Sequence, residues 1–434
     1  MNTLNRRQFL RALAASGVLA ALPKAVSAAT TAPRVVVGGG GFAGATDAKY
    51  LRMWGGNINV TLVDPNPNHI ACILSNLVLT GASTLARITI PYTRLRDVHG
   101  VNLVQGKAVA IDPGLQQVVI NNGVNNQTLV YDHLILAPGI DFVDPNASTP
   151  GLWNPELTPH AWVAGSQTTL LAKQLAAMPN GGTFVMTVPK APYRCPPGPY
   201  ERACVVADYL KRTKPSSKVL VLDANSGIQA EPNAFGYAFN QLYKGMLTYQ
   251  ANANVTKVDS GNKTIYVNDS PIKASVLNYI PNQRAGKVVM GAGLTAGGLW
   301  APVNVLSYAS KLPGMDKIHI LGDSQGSANQ PKSGHMANAQ AKVCADAIIR
   351  NFSGQLPDPS PTTNSACYSP ITSKTASWLT VGFQYDPASG TMVAQRNTDL
   401  NAPNASFGEA KEINSDNYQQ MLIWADSIFA DSFK

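Results

Sequence analysis

Charge is scarce in this chain. Only 14% of its 434 residues are Asp, Glu, Lys or Arg, and aromatics make up 7%. Lys and Arg are scattered without a basic run, so a formal net charge of +9 does not argue for nucleic acid. Beyond the N-terminal segment no run of about 18 apolar residues occurs, which excludes a membrane-inserted helix. There is no Cys-x-x-Cys pair, and His335, the histidine nearest Cys344, is nine residues away, so no metal site is predicted. There is no Cys-x-x-Cys-His, so any haem must be carried by another chain. Five cysteines are an odd number, and at least one must lie outside any disulfide.

What is present begins with an address. Arg6-Arg7-Gln8-Phe9-Leu10 is a twin-arginine motif. An apolar stretch from about Ala12 to Leu22 follows, too short to span a bilayer, and Val26-Ser27-Ala28 supplies small residues for cleavage. Residues 1–28 therefore read as an export signal. This route carries folded, cofactor-loaded proteins, so the predicted destination is the periplasm. Cleavage removes Arg6, Arg7, Arg11 and Lys24 and no acid, taking the net charge from +9 to +5. That mild basic bias suits an acidic partner surface.

Arg34–Gly38 (RVVVG) reads as a buried parallel strand. Gly39-x-Gly41-x-x-Gly44 follows, then a helix over about 42–53 and a second strand over 59–63 ending at Asp64. Gly39 makes the tight turn, Gly41 admits a pyrophosphate, and Gly44 lets helix pack on strand. Asp64, 20 residues past Gly44, is placed for ribose hydroxyls. Leu134–Leu136 before Ala137-Pro138-Gly139, and Ile318–Leu321 before Gly322-Asp323, read as two more strands of the same unit. In two-dinucleotide flavoproteins these signatures frame the FAD domain, with the acid on the ribityl chain. That domain is predicted to be discontinuous, 31–148 and 285–352.

Between them Thr183–Val188 and Lys218–Asp223 read as parallel strands joined by a helix over about 200–211. Where a second glycine fingerprint belongs, the chain has Pro189-Lys190-Ala191-Pro192-Tyr193-Arg194-Cys195-Pro196-Pro197. Prolines remove backbone donors, so this turn is poorly suited to a pyrophosphate. Residues 149–284 are predicted to be a degenerate NAD(P)-binding-like domain. Pro357–Thr363 reads as a linker, Val381–Tyr385 and Thr391–Gln395 as a hairpin, and Tyr418–Phe433 as a terminal helix within a C-terminal interface domain, 353–434. The predicted class is α/β: two Rossmann-like FAD/NAD(P)-binding-type domains, the second degenerate, plus a small α+β C-terminal domain.

Together the glycine fingerprint, Cys72-Ile73-Leu74-Ser75-Asn76, Cys195-Pro196-Pro197-Gly198-Pro199-Tyr200-Glu201-Arg202, Pro281-x-Gln283-Arg284-Ala285-Gly286, Gly322-Asp323, Pro331-Lys332-Ser333-Gly334 and Cys367-Tyr368-Ser369 resemble the flavoprotein subunit of flavocytochrome c sulfide dehydrogenase. The wider superfamily is similar to disulfide reductases and sulfide:quinone oxidoreductases. The resemblance implies FAD held by Gly39, Gly41, Gly44, Asp64, Ala137, Gly139, Gly322 and Asp323, and bound covalently through a Cys72 thioether. A buried free thiol is the alternative for Cys72. It further implies a redox disulfide between Cys195 and Cys367, a hydrosulfide substrate, and a cytochrome c partner carrying the haem. A purely structural bridge is the alternative for that pair.

Residue chemistry supports part of this. Cys195 precedes a helix N-terminus, where the dipole favours thiolate, and Arg194 and Arg202 could assist. Glu201 has two readings: a proton-handling carboxyl beside the sulfur site, or an acid favoured by the helix N-terminus. Cys204 and Cys344 read as core thiols and His335 as a structural histidine. A quinone-linked relative would differ in its acceptor. An NADH-dependent one is disfavoured by the missing second fingerprint.

Overall fold

The computed structural model describes residues 32–146, 152–326, 329–395 and 407–434. The export signal expected over 1–28 lies outside them.

Arg34–Gly38 is flanked in parallel by Asn59–Asp64 and His133–Leu136, because an uninterrupted apolar run can be covered on both faces. Asn102–Gln105 extends this sheet on one side and Ile318–Ile320 on the other. The short strands Ala309–Ser310 and Val303–Asn304 complete seven. A distant segment of the chain thus inserts strands beside residues 133–136. Helix Phe42–Gly55 packs on helix Gly334–Phe352, where Asn338 Nδ2 donates to Thr46 Oγ1 at 3.0 Å. Ser333 caps the second helix by accepting from Met336 N.

A second parallel sheet has the order Leu247–Gln250, Lys218–Asp223, Thr183–Val188, Val276–Asn278. Helix Gly198–Thr213 joins its two central strands, slightly longer than predicted. It buries Tyr200, Ala203, Val206 and Leu210 against Phe184, Met186 and Val219.

The C-terminal region departs from expectation at its start. Residues 357–363 read as a linker, yet Thr362 already opens a nine-residue strand, Thr362–Pro370, paired throughout with Ala376–Asp386. Cys367 lies within it, opposite Leu379. The predicted hairpin is present, with Gly382 opposite Gln395 and Asp386 opposite Thr391. The last helix, Ser415–Phe433, starts earlier than predicted because Asn414 caps it through Asn417 N. Its Met421, Ala425, Ile428 and Phe429 are buried, and Phe433 meets Phe42 edge-on at 5.4 Å. Lys49 Nζ donates to Asp431 O at 2.9 Å. The C-terminal region therefore closes against the fingerprint helix.

Candidate active site

The fingerprint glycines each meet a steric demand or leave room for a ligand. Gly39 has φ +109°, and a Cβ there would stand 2.4 Å from Ala137 O. A Cβ on Gly44 would stand 1.9 Å from Gly39 O. Gly41 would meet only His69 Cε1, at 3.8 Å, so its open side is free for a ligand. No side chain caps the helix that follows, which leaves its N-terminal amides to an anion. Asp64 Oδ2 accepts from Gly40 N at 2.8 Å and Oδ1 from Asn66 N at 2.8 Å. Each oxygen keeps acceptor capacity for a ribose hydroxyl. Asp323, after the strand ending at Ile320, holds a buried Oδ1 without a partner. A buried orphan acceptor is costly alone and fits a ligand hydroxyl. These residues fit a dinucleotide.

Gly322-Asp323-Ser324-Gln325-Gly326 also has the spacing of a hydrolase nucleophile elbow. The structure removes that reading, because buried Ser324 donates to Gly139 O and accepts from Gly286 N.

The second sheet presents no comparable cradle. Its loop amides are consumed internally: Lys190 N donates to Asn282 Oδ1, Ala191 N to Asn225 Oδ1, Arg194 N to Gln283 Oε1 and Cys195 N to Lys332 O. Asp223, the acid ending the second strand, is fully buried. It already accepts from the Tyr200 and Tyr249 hydroxyls and from Asn225.

Between the two halves and the C-terminal sheet lies one cavity lined by Cys72, Cys195, Cys367, Glu201, Trp162 and Trp424. Three chain segments more than 100 residues apart thus deliver their cysteines to one place. All five cysteines are thiols in this structure, so the implied Cys195–Cys367 bridge is open here. Cys195 adopts φ +58° and is pinned by Cys195 N donating to Lys332 O at 2.6 Å. Holding a non-glycine residue in that region costs about 1–3 kcal/mol. Cys204 and Cys344 are fully buried in the core, away from this cavity.

One expectation is corrected. The helix N-terminus after Cys195 does not lower its thiol. Burial pushes the thiol well above its ordinary value, and Cys367, Glu201 and Cys72 add to the effect; Arg194 opposes it. Desolvation of a thiolate outweighs a partial dipole charge. The Cys367 thiol is pushed up to about 12, again chiefly by burial, with the Ser365 hydroxyl acting the other way. Burial also raises Cys72.

Glu201 is buried, and its carboxyl rises to about 7, principally through desolvation. Asn76 Nδ2 donates to Glu201 Oε1 at 2.9 Å and to Gly198 O at 3.2 Å. Arg202 is wholly engaged. It donates to Asn76 Oδ1, Asn278 Oδ1, His160 O and Ala161 O, and lies 4.9 Å over the Trp162 ring. It braces the cavity wall, and its charge also couples to Cys195. His335 lines the cavity too, and its Nδ1 accepts from Ala366 N at 2.9 Å, which fits a structural histidine.

Sequence reasoning missed Asn76 as the partner of Glu201, and missed Trp162, Trp424 and Glu231. Glu231 is fully buried, bonded by the Ser369 hydroxyl at 2.6 Å, and raised to about 8 by desolvation. No motif marks it; only the pairing of residues 231 and 369 across the fold does.

A family model described as sulfide dehydrogenase [flavocytochrome c] flavoprotein chain, central, matches residues 168–281. Another, pyridine nucleotide-disulphide oxidoreductase, matches residues 33–175. The chain belongs with the pyridine nucleotide-disulphide oxidoreductases. The fold of this oxidoreductase is shared with the sulfide:quinone oxidoreductase of Aquifex aeolicus, at TM-score 0.72, 17% identity and 92% coverage of both chains. An NAD-dependent persulfide reductase from A. fulgidus superposes at TM-score 0.58 and 14% identity, over 92% of this chain and 77% of that one. A short sulfide dehydrogenase flavoprotein sequence of Chlorobaculum thiosulfatiphilum is 56% identical over 45 residues, 10% of this chain and 94% of the relative. Ferroptosis suppressor protein 1 of Taeniopygia guttata is 41% identical over 110 residues, which are 25% of this chain and 27% of the relative. The chain therefore matches only about a quarter of that relative. The family matches make this a flavin-dependent oxidoreductase related to sulfur-handling enzymes.

Proposed function

We propose that the chain is the flavoprotein subunit of a periplasmic sulfide dehydrogenase, oxidising hydrosulfide to zero-valent sulfur or polysulfide and passing electrons to a cytochrome c partner. The observation that carries this reading is the cavity where Cys195, Cys367, Cys72 and Glu201 meet. The family match over 168–281 supports the substrate class. The twin-arginine motif supports export. Among the described residues no helix is long and apolar enough to cross a membrane.

In the oxidised enzyme Cys195 and Cys367 form the bridge that hydrosulfide opens. The S–S bond breaks, a new S–S bond joins the incoming sulfur to one cysteine, and the other cysteine leaves as thiolate. Release of the terminal sulfur and reclosure of the bridge deliver two electrons and one proton per hydrosulfide. Glu201, with a carboxyl near 7, is suited to take that proton and return it to solvent. Asn76 holds Glu201 in place. Gly39, Gly41, Gly44, Asp64, Ala137, Gly139, Gly322 and Asp323 would hold FAD and Cys72 would tether it, and the bound flavin would supply an acceptor of two electrons that can be released singly. The internally satisfied loop of residues 190–195 and Asp223 make NADH an unsuitable reductant.

The test is anaerobic titration of the purified protein with sulfide, following the flavin absorption. Bleaching in the wild type, lost in Cys195→Ser with flavin content intact, is expected. Equal bleaching in both would remove the thiols from the reaction. Mass spectrometry of the denatured protein reads the tether as added FAD mass on the Cys72 peptide.

The likeness to a sulfide:quinone oxidoreductase fold favours a second reading, with quinone as acceptor. Sulfide-driven reduction of a soluble quinone analogue faster than of cytochrome c would select it.

A further inference from the structure

Two arginines, Arg194 and Arg202, line the cavity where Cys72, Cys195 and Cys367 meet. Arg202 spends its guanidinium on Asn76, Asn278 and the carbonyls of His160 and Ala161. Arg194 is fixed only at its root. Its backbone N donates to Gln283 Oε1 at 2.8 Å, its backbone bridges in parallel to Lys332, and Cys195 N donates to Lys332 O. Among the described residues the Arg194 guanidinium has no hydrogen-bond or ion-pair partner. Lys332 offers no second free cation, because its Nζ donates to Asp323 O and Gln325 O and lies 3.7 Å over the Trp300 ring.

Another unused donor belongs to the same wall. Trp162 lines the cavity and is 5% exposed, and its Nε1 is buried without a partner. A Cβ added at Gly198 would stand 2.9 Å from Trp162 Cη2 and 2.9 Å from Cys195 Sγ, so the ring edge and the sulfur flank one absent methyl group. Arg202 lies 4.9 Å over that ring, and a cation on the π face makes the N–H edge a stronger donor. A buried N–H without an acceptor is costly, and a ligand that accepts from it removes the cost.

We propose that Arg194 and Trp162 form an anion receptor that takes hydrosulfide and holds it beside the Cys195 sulfur. The proposal rests on the sulfide reading and names the groups that recognise that substrate. A small anion entering this cavity gives up its hydration, and a free guanidinium with an indole N–H replaces it. Glu201, in the same lining, opposes the anion when ionised.

The test has two arms on the full, flavin-loaded protein. In the first, anaerobic flavin bleaching is followed across sulfide concentration. Loss of a charge-assisted hydrogen bond predicts that Arg194→Gln raises the half-saturating sulfide concentration about 10–100-fold, and loss of a neutral one predicts about three- to tenfold for Trp162→Phe. The effect should fall on half-saturation and not on the limiting rate, and Arg194→Lys, which keeps the charge, should recover much of the loss. An unchanged half-saturation, a change confined to the limiting rate, an Arg194→Lys variant no better than Arg194→Gln, or lost flavin with half-saturation unaltered overturns the receptor. In the second arm crystals are soaked in bromide, a monovalent anion close to hydrosulfide in size, and the ion is located by its anomalous scattering. Bromide between Arg194 and Trp162 in the wild type, absent in Arg194→Gln, is expected; no bromide there, or the same bromide in both, overturns the site. Sulfide that leaves the wild-type flavin oxidised would reject the sulfide reading, while the bromide position judges the anion site independently.

Discussion

Asn76 Nδ2 lies 2.9 Å from Glu201 Oε1, joining the segment that follows Cys72 to the helix that follows Cys195. The same side chain accepts from Arg202 Nε at 2.9 Å. One amide thus bonds a buried acid and a buried base at once, and the two charges also attract each other through space.

Removing that amide has two consequences. Asn76→Ala leaves buried charged groups short of partners and should destabilise the fold by about 2–4 kcal/mol, read as a shifted urea midpoint. The Asn76 bond holds the Glu201 carboxyl down, so its loss should raise the carboxyl further above 7. The pH profile of sulfide-driven flavin reduction should move upward in step.

Glu201→Gln removes the group that titrates near 7. Flavin bleaching by sulfide should become slower and lose its inflection near neutrality, by roughly 10²-fold in rate if the carboxyl moves the proton. Stopped-flow bleaching between pH 6 and 9 decides it; a retained inflection would assign it to another group.

Glu231 bears on stability. Its folded carboxyl is raised to about 8 from an ordinary 4.5, so the folded state holds a proton that the unfolded chain releases. Below about 4.5 both states are protonated and the group is neutral to stability. As pH rises toward 8 the unfolded state is favoured progressively, and above 8 the slope vanishes. Glu231→Gln, which keeps an acceptor for Ser369, should flatten the fall in melting temperature between pH 5 and 8. An unchanged slope would show that Glu231 is not the group responsible.

Gly39→Ala must move Ala137 O or leave the positive-φ region. A cost of about 1–3 kcal/mol is expected, together with loss of bound flavin, read from the ratio of flavin to protein absorbance.

NADH should leave the flavin oxidised under anaerobic mixing, because the loop amides and Asp223 that would receive it are already bonded within the protein. Rapid bleaching by NADH would require those bonds to open.

Much of the scaffold was legible residue by residue. Apolar runs such as RVVVG and KVLVLD are covered on both faces and become central parallel strands whatever lies around them. The strand Thr362–Pro370 was hidden, because TTNSACYSP is mostly small and polar. It is a strand because Ala376–Asp386 pairs along its whole length. The start of the last helix was misplaced by three residues, since Asn414 caps from a position that periodicity does not register.

The sequence by itself determined the fingerprint cradle, the loss of a second one, and which cysteines stand in unusual settings, because each depends on neighbours within a few dozen residues. Only the tertiary structure decided that Cys72, Cys195 and Cys367 share a cavity, that Glu201 is held by Asn76, and that burial raises the Cys195 thiol where a helix end alone would lower it. Desolvation depends on everything that surrounds a group, and those surroundings come from segments more than 100 residues apart.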